Sequence, residues 1–186
     1  MAADNRKEVS LTHGVVTKIK PAGLGTRVCI DCADLLTPTE GVLVGNTGYG
    51  YMLVLSENRS TDTYPPRPFR INAGGLHQYL FQDNLTVYLS ELRGGDSLYI
   101  YNGSEQKEVP VGRVKMEKRE LVRVELETEG AHISATLQYA DSVSLLNKNH
   151  EVVSVKDLKE GDEIFCCIDE PGRHLGKKIN EEINEY

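Results

Sequence analysis

Apolar residues recur at every second position through much of this chain. Val122, Val124 and Leu126 alternate with Arg123, Glu125 and Glu127; beyond Glu129-Gly130, Ile133, Ala135 and Leu137 alternate with Ser134, Thr136 and Gln138. Successive side chains of a strand point to opposite faces, so this stretch predicts a β-hairpin with one wet face. Further strands are predicted over residues 14–20, 27–32, 41–45, 51–56, 69–72, 97–102, 109–117 and 163–168. No stretch keeps a 3.6-residue apolar period for more than two turns. The expected fold is mainly β: a compact domain of small β-barrel-like sheets with little helix.

A weak repeat supports that plan. Leu92-Arg-Gly-Gly-Asp96 and Leu158-Lys-Glu-Gly-Asp162 each precede an apolar strand, and 36–44 is a looser echo. Leu packs inward, Gly permits the turn, and Asp can hold the turn amides. Residues 1–12 read as a flexible arm ahead of one domain over 13–186, with a sub-boundary near 102–109. Residues 58–68 are polar and rich in proline, which suits neither a helix nor a central strand. They are expected to form a long loop over a site.

Composition narrows the functional classes. The 186 residues are 39% hydrophobic and 26% charged, which is ordinary for a folded domain. A net charge of −7, spread along the chain, disfavours nucleic acid and anionic membrane as partners. No apolar run approaches the ~20 residues that span a bilayer, and the start has no secretory pattern. A cytoplasmic protein is expected. Cys29, Cys32, Cys166 and Cys167 could suggest zinc, but each pair lies in a strand-like context that sends its members to opposite faces. Buried structural thiols are expected instead.

The densest chemistry lies between Arg67 and His77. On a strand Arg70 and Asn72 share a face. Arg67 and Arg70 could grip a carboxylate or phosphate, Gly74 and Gly75 could let backbone approach a ligand, and His77 could serve as a base or metal ligand. The same run also reads as a surface strand with solvated arginines. Arg173 and His174, in a Gly/Pro-flanked loop, form a second candidate pair. Glu57 is a third; converging with His77 and His174, it would make a divalent-metal site. The Gly-rich stretch 45–50 joins two strands, so it reads as a hairpin, lacking the helix that helps a Rossmann turn hold phosphate. His13, His132 and His150 read as surface or edge histidines without partners.

Several blocks carry a family resemblance. They are 16–31, 41–45, Arg67-Pro-Phe-Arg-Ile-Asn-Ala-Gly74 with His77, 88–92, 111–115, Leu137-Gln138, 155–162 and Arg173-His-Leu-Gly176. In order, from residue 13 to 186, they resemble the C-terminal half of the archaeal-type (type II) 3-dehydroquinate synthases, a family that includes bacterial aminohydroxybenzoate synthases. The resemblance implies an enzyme acting on a small carboxylate-bearing substrate by cyclisation, deamination or a related elimination, in aromatic or specialised biosynthesis. It implies catalytic roles for His77, Glu57 and His174 and substrate binding by Arg67, Arg70, Asn72 and Arg173; Gly74 and Gly75, by their small size, are the candidate cofactor-binding positions. NAD and a divalent ion (Mn or Mg, on Glu57, His77 and His174) are the cofactors it brings. The family's α/β N-terminal half has no counterpart here. That implies a chain working alone, as a homo-oligomer, or with a separately encoded N-terminal subunit; the rival reading is a non-catalytic binding or assembly module. Two departures bear on the substrate: the family tends to have histidine at Leu55 and a basic residue near Tyr49.

Overall fold

A computed structural model describes residues 9–103, 105–170, 173, 174, 177, 178 and 183–186, with backbone only at 173, 174, 177 and 178. In chain order the strands are β1 (Thr12–Cys32), β2 (Gly41–Gly45), β3 (Gly50–Leu55), β4 (Arg70–Gly75), β5 (Tyr79–Gln82), β6 (Leu85–Tyr88), β7 (Ser97–Asn102), β8 (Glu105–Thr128), β9 (Ala131–Gln138), β10 (Ser144–Leu146), β11 (Val152–Ser154), β12 (Glu163–Ile168), β13 (Arg173–His174) and β14 (Lys177–Lys178). A single 3₁₀ turn at Leu89–Glu91 is the only helix among the described residues. The mainly-β expectation holds.

Twelve strands form one antiparallel sheet, with β13 and β14 paired separately. Its hydrogen-bonding path runs β11-β10-β3-β12-β1-β8-β7-β2-β5-β6, and β2 also pairs with β3. That extra pairing turns the path back on itself. A single register pair, Gly41 with Tyr101, joins β2 to β7, so the circuit is not an even barrel. The long strands β1 and β8 run antiparallel through most of their length, with register shifts near Thr17, Ala22 and Cys32. Such bulges bend a strand and raise its twist, which lets two ribbons cross the whole molecule.

The β2–β3 hairpin shows why its sequence runs apolar without alternation. Val42, Val44, Met52 and Val54 face the larger core with Val28, Ile30, Ile71 and Val124. Leu43, Tyr51, Leu53 and Leu55 face a second, smaller core with Phe81 and Tyr101. Both faces are covered, so both must be apolar. Leu55, the position of one family departure, is fully packed here.

Local signals are realised closely. Positive φ at Glu129 and Gly130, and at Asp83 and Asn84, makes the two-residue turns of the β8–β9 and β5–β6 hairpins. In the repeat, Leu92 and Leu158 are buried, while Asp96 and Asp162 accept from the amides of Arg93 (2.8 Å) and Lys159 (2.9 Å). In the third echo Glu40 takes the aspartate's part, accepting from the Thr37 amide at 2.8 Å.

Other expectations are corrected. Predicted strands 14–20 and 27–32 are one strand, because bulges carry β1 through Pro21 and Gly23 without a break. The short strands β5, β6, β10 and β11 lie outside the predicted ones. The arm is not loose over residues 9–11: Val9 is buried in the smaller core and Leu11 packs beside it. The surface histidines have partners: His13 lies 3.6 Å from Glu163, His132 lies 2.9 Å from Glu125, and His150 packs on Phe165.

Candidate functional site

The strands bring chemistry together where β2, β4 and β9 meet. Here β4 and β9 approach side by side without a strand ladder. The Gln78 side chain joins them instead: its amide donates to the carbonyls of Ala73 and Gly75, and its oxygen accepts from the Thr136 amide at 2.8 Å. Gln78 is fully buried, so these bonds meet polar needs that water cannot reach. Gly74, at φ +89°, is what permits the approach, because a Cβ there would collide with the Thr136 carbonyl.

His77 sits at this seam. Its ring lies over Gly75, whose missing Cβ would stand 3.0 Å from the imidazole. His77 Nε2 is 2.8 Å from Asn46 Oδ1, which also accepts the Thr136 hydroxyl at 2.9 Å; the Asn46 amide donates to Ser134 Oγ at 3.1 Å. An amide oxygen can only accept, so His77 Nε2 carries the proton and Nδ1 keeps its lone pair. Burial of part of the ring, then the positive charge of Arg123, lowers the His77 pKa below its ordinary 6.5. The imidazole is therefore a free base at neutral pH. Beside the seam, a cavity of about 540 Å³ is lined by residues including Thr47, Arg123, His132, Ser134 and Glu185.

The arginines are engaged elsewhere. Arg70 makes a two-pronged pair with Asp31, Nε to Oδ1 at 2.7 Å and Nη2 to Oδ2 at 3.1 Å. Arg113 adds a third bond to Asp31 at 2.7 Å. Although burial pushes the Asp31 carboxyl upward, the bonds from Arg70 and Arg113 prevail and hold it below the usual carboxylate range. Arg67 approaches Glu57 at 3.4 Å and stacks over the Tyr64 ring at 4.4 Å. Asn72 donates to Gln138 at 2.7 Å. Each of these groups is held within the protein, so the exposed strand of solvated arginines does not form.

The predicted constellation is thus divided. The Glu57 amide bonds the Arg70 carbonyl at the start of β4, whereas His77 lies past its end. At about 3.3 Å per residue, roughly 16 Å of strand separate them. A divalent ion held jointly by Glu57 and His77 does not fit that geometry, and the described residues contain no cluster of three or more His, Cys, Asp or Glu placed to hold a metal. The close backbone approach of a cofactor expected at Gly74 and Gly75 does not fit either, since the β9 backbone and the His77 ring fill the space the glycines leave. The side chains of Arg173 and His174 lie outside the described residues. Their backbone forms β13, paired with β14, which packs against β6 next to β5.

All four cysteines are buried free thiols. Burial pushes Cys29 up to about 11, and Cys32 and Cys166 up to about 12, so these three stay protonated and inert. Reading the sequence missed Asn46, Gln78, Thr136 and Arg123. The last two stand on the polar face of the predicted hairpin, where alternation marks polarity without distinguishing a task; that face is not wet along β9, where Ser134 and Thr136 are buried. Asn46 is hidden in a Gly-rich turn.

Comparison with known proteins follows the same outline. The family model described as the 3-dehydroquinate synthase II C-terminal domain matches residues 13–186. The 3-dehydroquinate synthase of Methanospirillum hungatei is 44% identical over 172 residues, 91% of this chain and 52% of that protein. That of Methanococcus maripaludis is 42% identical over 183 residues, 97% of this chain and 51% of its own. A 3-dehydroquinate synthase homolog of Aquifex aeolicus is 39% identical over 187 residues, 100% of this chain and 56% of its own. The chain spans about half the length of these relatives. No solved structure matches it.

Proposed function

The chain belongs to the 3-dehydroquinate synthase II family as its C-terminal domain, and from that premise we propose that it supplies the proton-transfer half of a synthase site acting on a small carboxylate-bearing substrate. Aldol-type cyclisation and elimination on such a molecule share one demand: a proton must leave a carbon next to a carbonyl. The observation that carries the reading is the 2.8 Å bond from His77 to Asn46, which leaves Nδ1 as a neutral base. As Nδ1 takes the proton, the electron pair moves onto the carbonyl oxygen. Arg123 then serves twice: its charge keeps the imidazole unprotonated beforehand and stabilises the developing oxyanion afterwards. Asn46 and Thr136 position the ring.

The chain spans about half the length of these relatives, so the half that it does not match would complete the site. Any NAD or divalent-ion chemistry belongs to that completed site, as do roles for Glu57, Arg173 and His174. The rival reading, a non-catalytic binding or assembly module, lacks a comparable observation. The test is turnover of the 3-dehydroquinate synthase substrate by this chain co-expressed with the N-terminal half of the Methanospirillum hungatei relative. His77→Ala should lower kcat/KM by about 10²-fold or more, the usual scale for a positioned acid–base group. Equal rates for His77→Ala and wild type would remove His77 from the chemistry.

A further inference from the structure

Glu185 holds the turn between β2 and β3 in the way a ligand would. Its Oε1 accepts the Gly48 amide at 2.8 Å, and its Oε2 accepts the Tyr79 hydroxyl at 3.1 Å. Two donors thus meet the two oxygens of one carboxylate. Gly45 pairs with Tyr79 across β2 and β5, so the sheet fixes the base of the turn and the phenol together. Burial first, then the charge of Glu185 and the neighbouring Tyr88, pushes the Tyr79 pKa up, so the phenol remains a donor. The same carboxylate lines the 540 Å³ cavity that contains Arg123 and Ser134. Asn46, which holds His77, lies two residues before Gly48, and His77 lies two residues before Tyr79.

We propose that the Gly48 amide and the Tyr79 hydroxyl form a carboxylate subsite of the candidate active site, and that Glu185 fills it in place of a ligand's carboxylate. The inference rests on the proposed function for its substrate class, but its donors stand on their own geometry. A tethered carboxylate competes at an effective concentration of about a millimolar or more. An external acid must therefore displace Glu185 before it can bind.

The test is a titration of ¹⁵N-labelled chain with pyruvate, following the Gly48 amide resonance. In Glu185→Ala the resonance should move saturably, with a midpoint at least about 10-fold below that of wild type. Glu185→Gln, which keeps the size of the side chain but not its charge, should give an intermediate midpoint. Adding Tyr79→Phe to Glu185→Ala should weaken binding about 10-fold, the scale of one hydrogen bond to a charged group. A Gly48 resonance that stays still in Glu185→Ala, or one that moves equally in wild type, overturns the proposal. The two readings fail separately. Pyruvate binding at Gly48 with turnover indifferent to His77 sinks only the catalytic role, and a silent Gly48 with His77-dependent turnover sinks only the subsite.

Discussion

At the scale of single residues, the decisive pairing is that of His77 with a group thirty-one positions earlier. A lone imidazole in a polar run has no defined tautomer; the Asn46 oxygen gives it one. Arg123 then sets the protonation state. Removing it with Arg123→Ala should let the His77 pKa rise toward 6.5, while burial of part of the ring still holds it down. A base is active when deprotonated, so the rising limb of kcat/KM against pH should move to higher pH in that variant. Titration of the His77 ring proton by NMR checks the shift directly; an unmoved midpoint would mean that Arg123 does not face the ring.

At the scale of elements, the seam between β4 and β9 depends on a glycine and a buried amide. Gly74 combines a left-handed backbone with an approach so close that no Cβ fits beneath the Thr136 carbonyl. Gly74→Ala is expected to cost roughly 3 kcal/mol, adding backbone strain to the displacement of a neighbouring strand. Because His77 and Thr136 flank that point, the variant should also lose catalytic rate under conditions where it is still folded. Urea unfolding measures the first effect and turnover at low temperature the second. Gly95→Ala makes a useful contrast: its φ is +94° but nothing lies within 4 Å of its Cβ, so only the strain remains.

At the scale of the molecule, Asp31 ties β1 to β4 through Arg70 and to β8 through Arg113. Its pKa is lowered in the folded state, so its contribution is fully present above the ordinary value of 3.8 and is lost as pH falls through the folded value. Asp31→Asn should destabilise the protein by about 3 kcal/mol near neutral pH, because it leaves the largely buried Arg70 without its carboxylate. Below pH 3.8 the gap between wild type and variant should narrow. Denaturant unfolding at two pH values tests this, and a gap independent of pH would refute the assignment. Arg113, two-thirds exposed, should matter far less than Arg70.

The β class, most strand positions, the turns and the inert cysteines were legible in the chain alone, because each depends on alternation or on residues within about four positions of one another. The Leu-x-x-Gly-Asp turns are the clearest case, since leucine, glycine and aspartate act within five residues. Family membership was legible for a similar reason: its blocks are contiguous. The site was not. His77 gains its meaning from Asn46, Thr136 and Arg123, which lie on other strands, and Arg70 loses its apparent availability to Asp31 thirty-nine positions away. Strand pairing in an antiparallel sheet joins residues at any sequence separation, and only the folded register decides which polar group meets which.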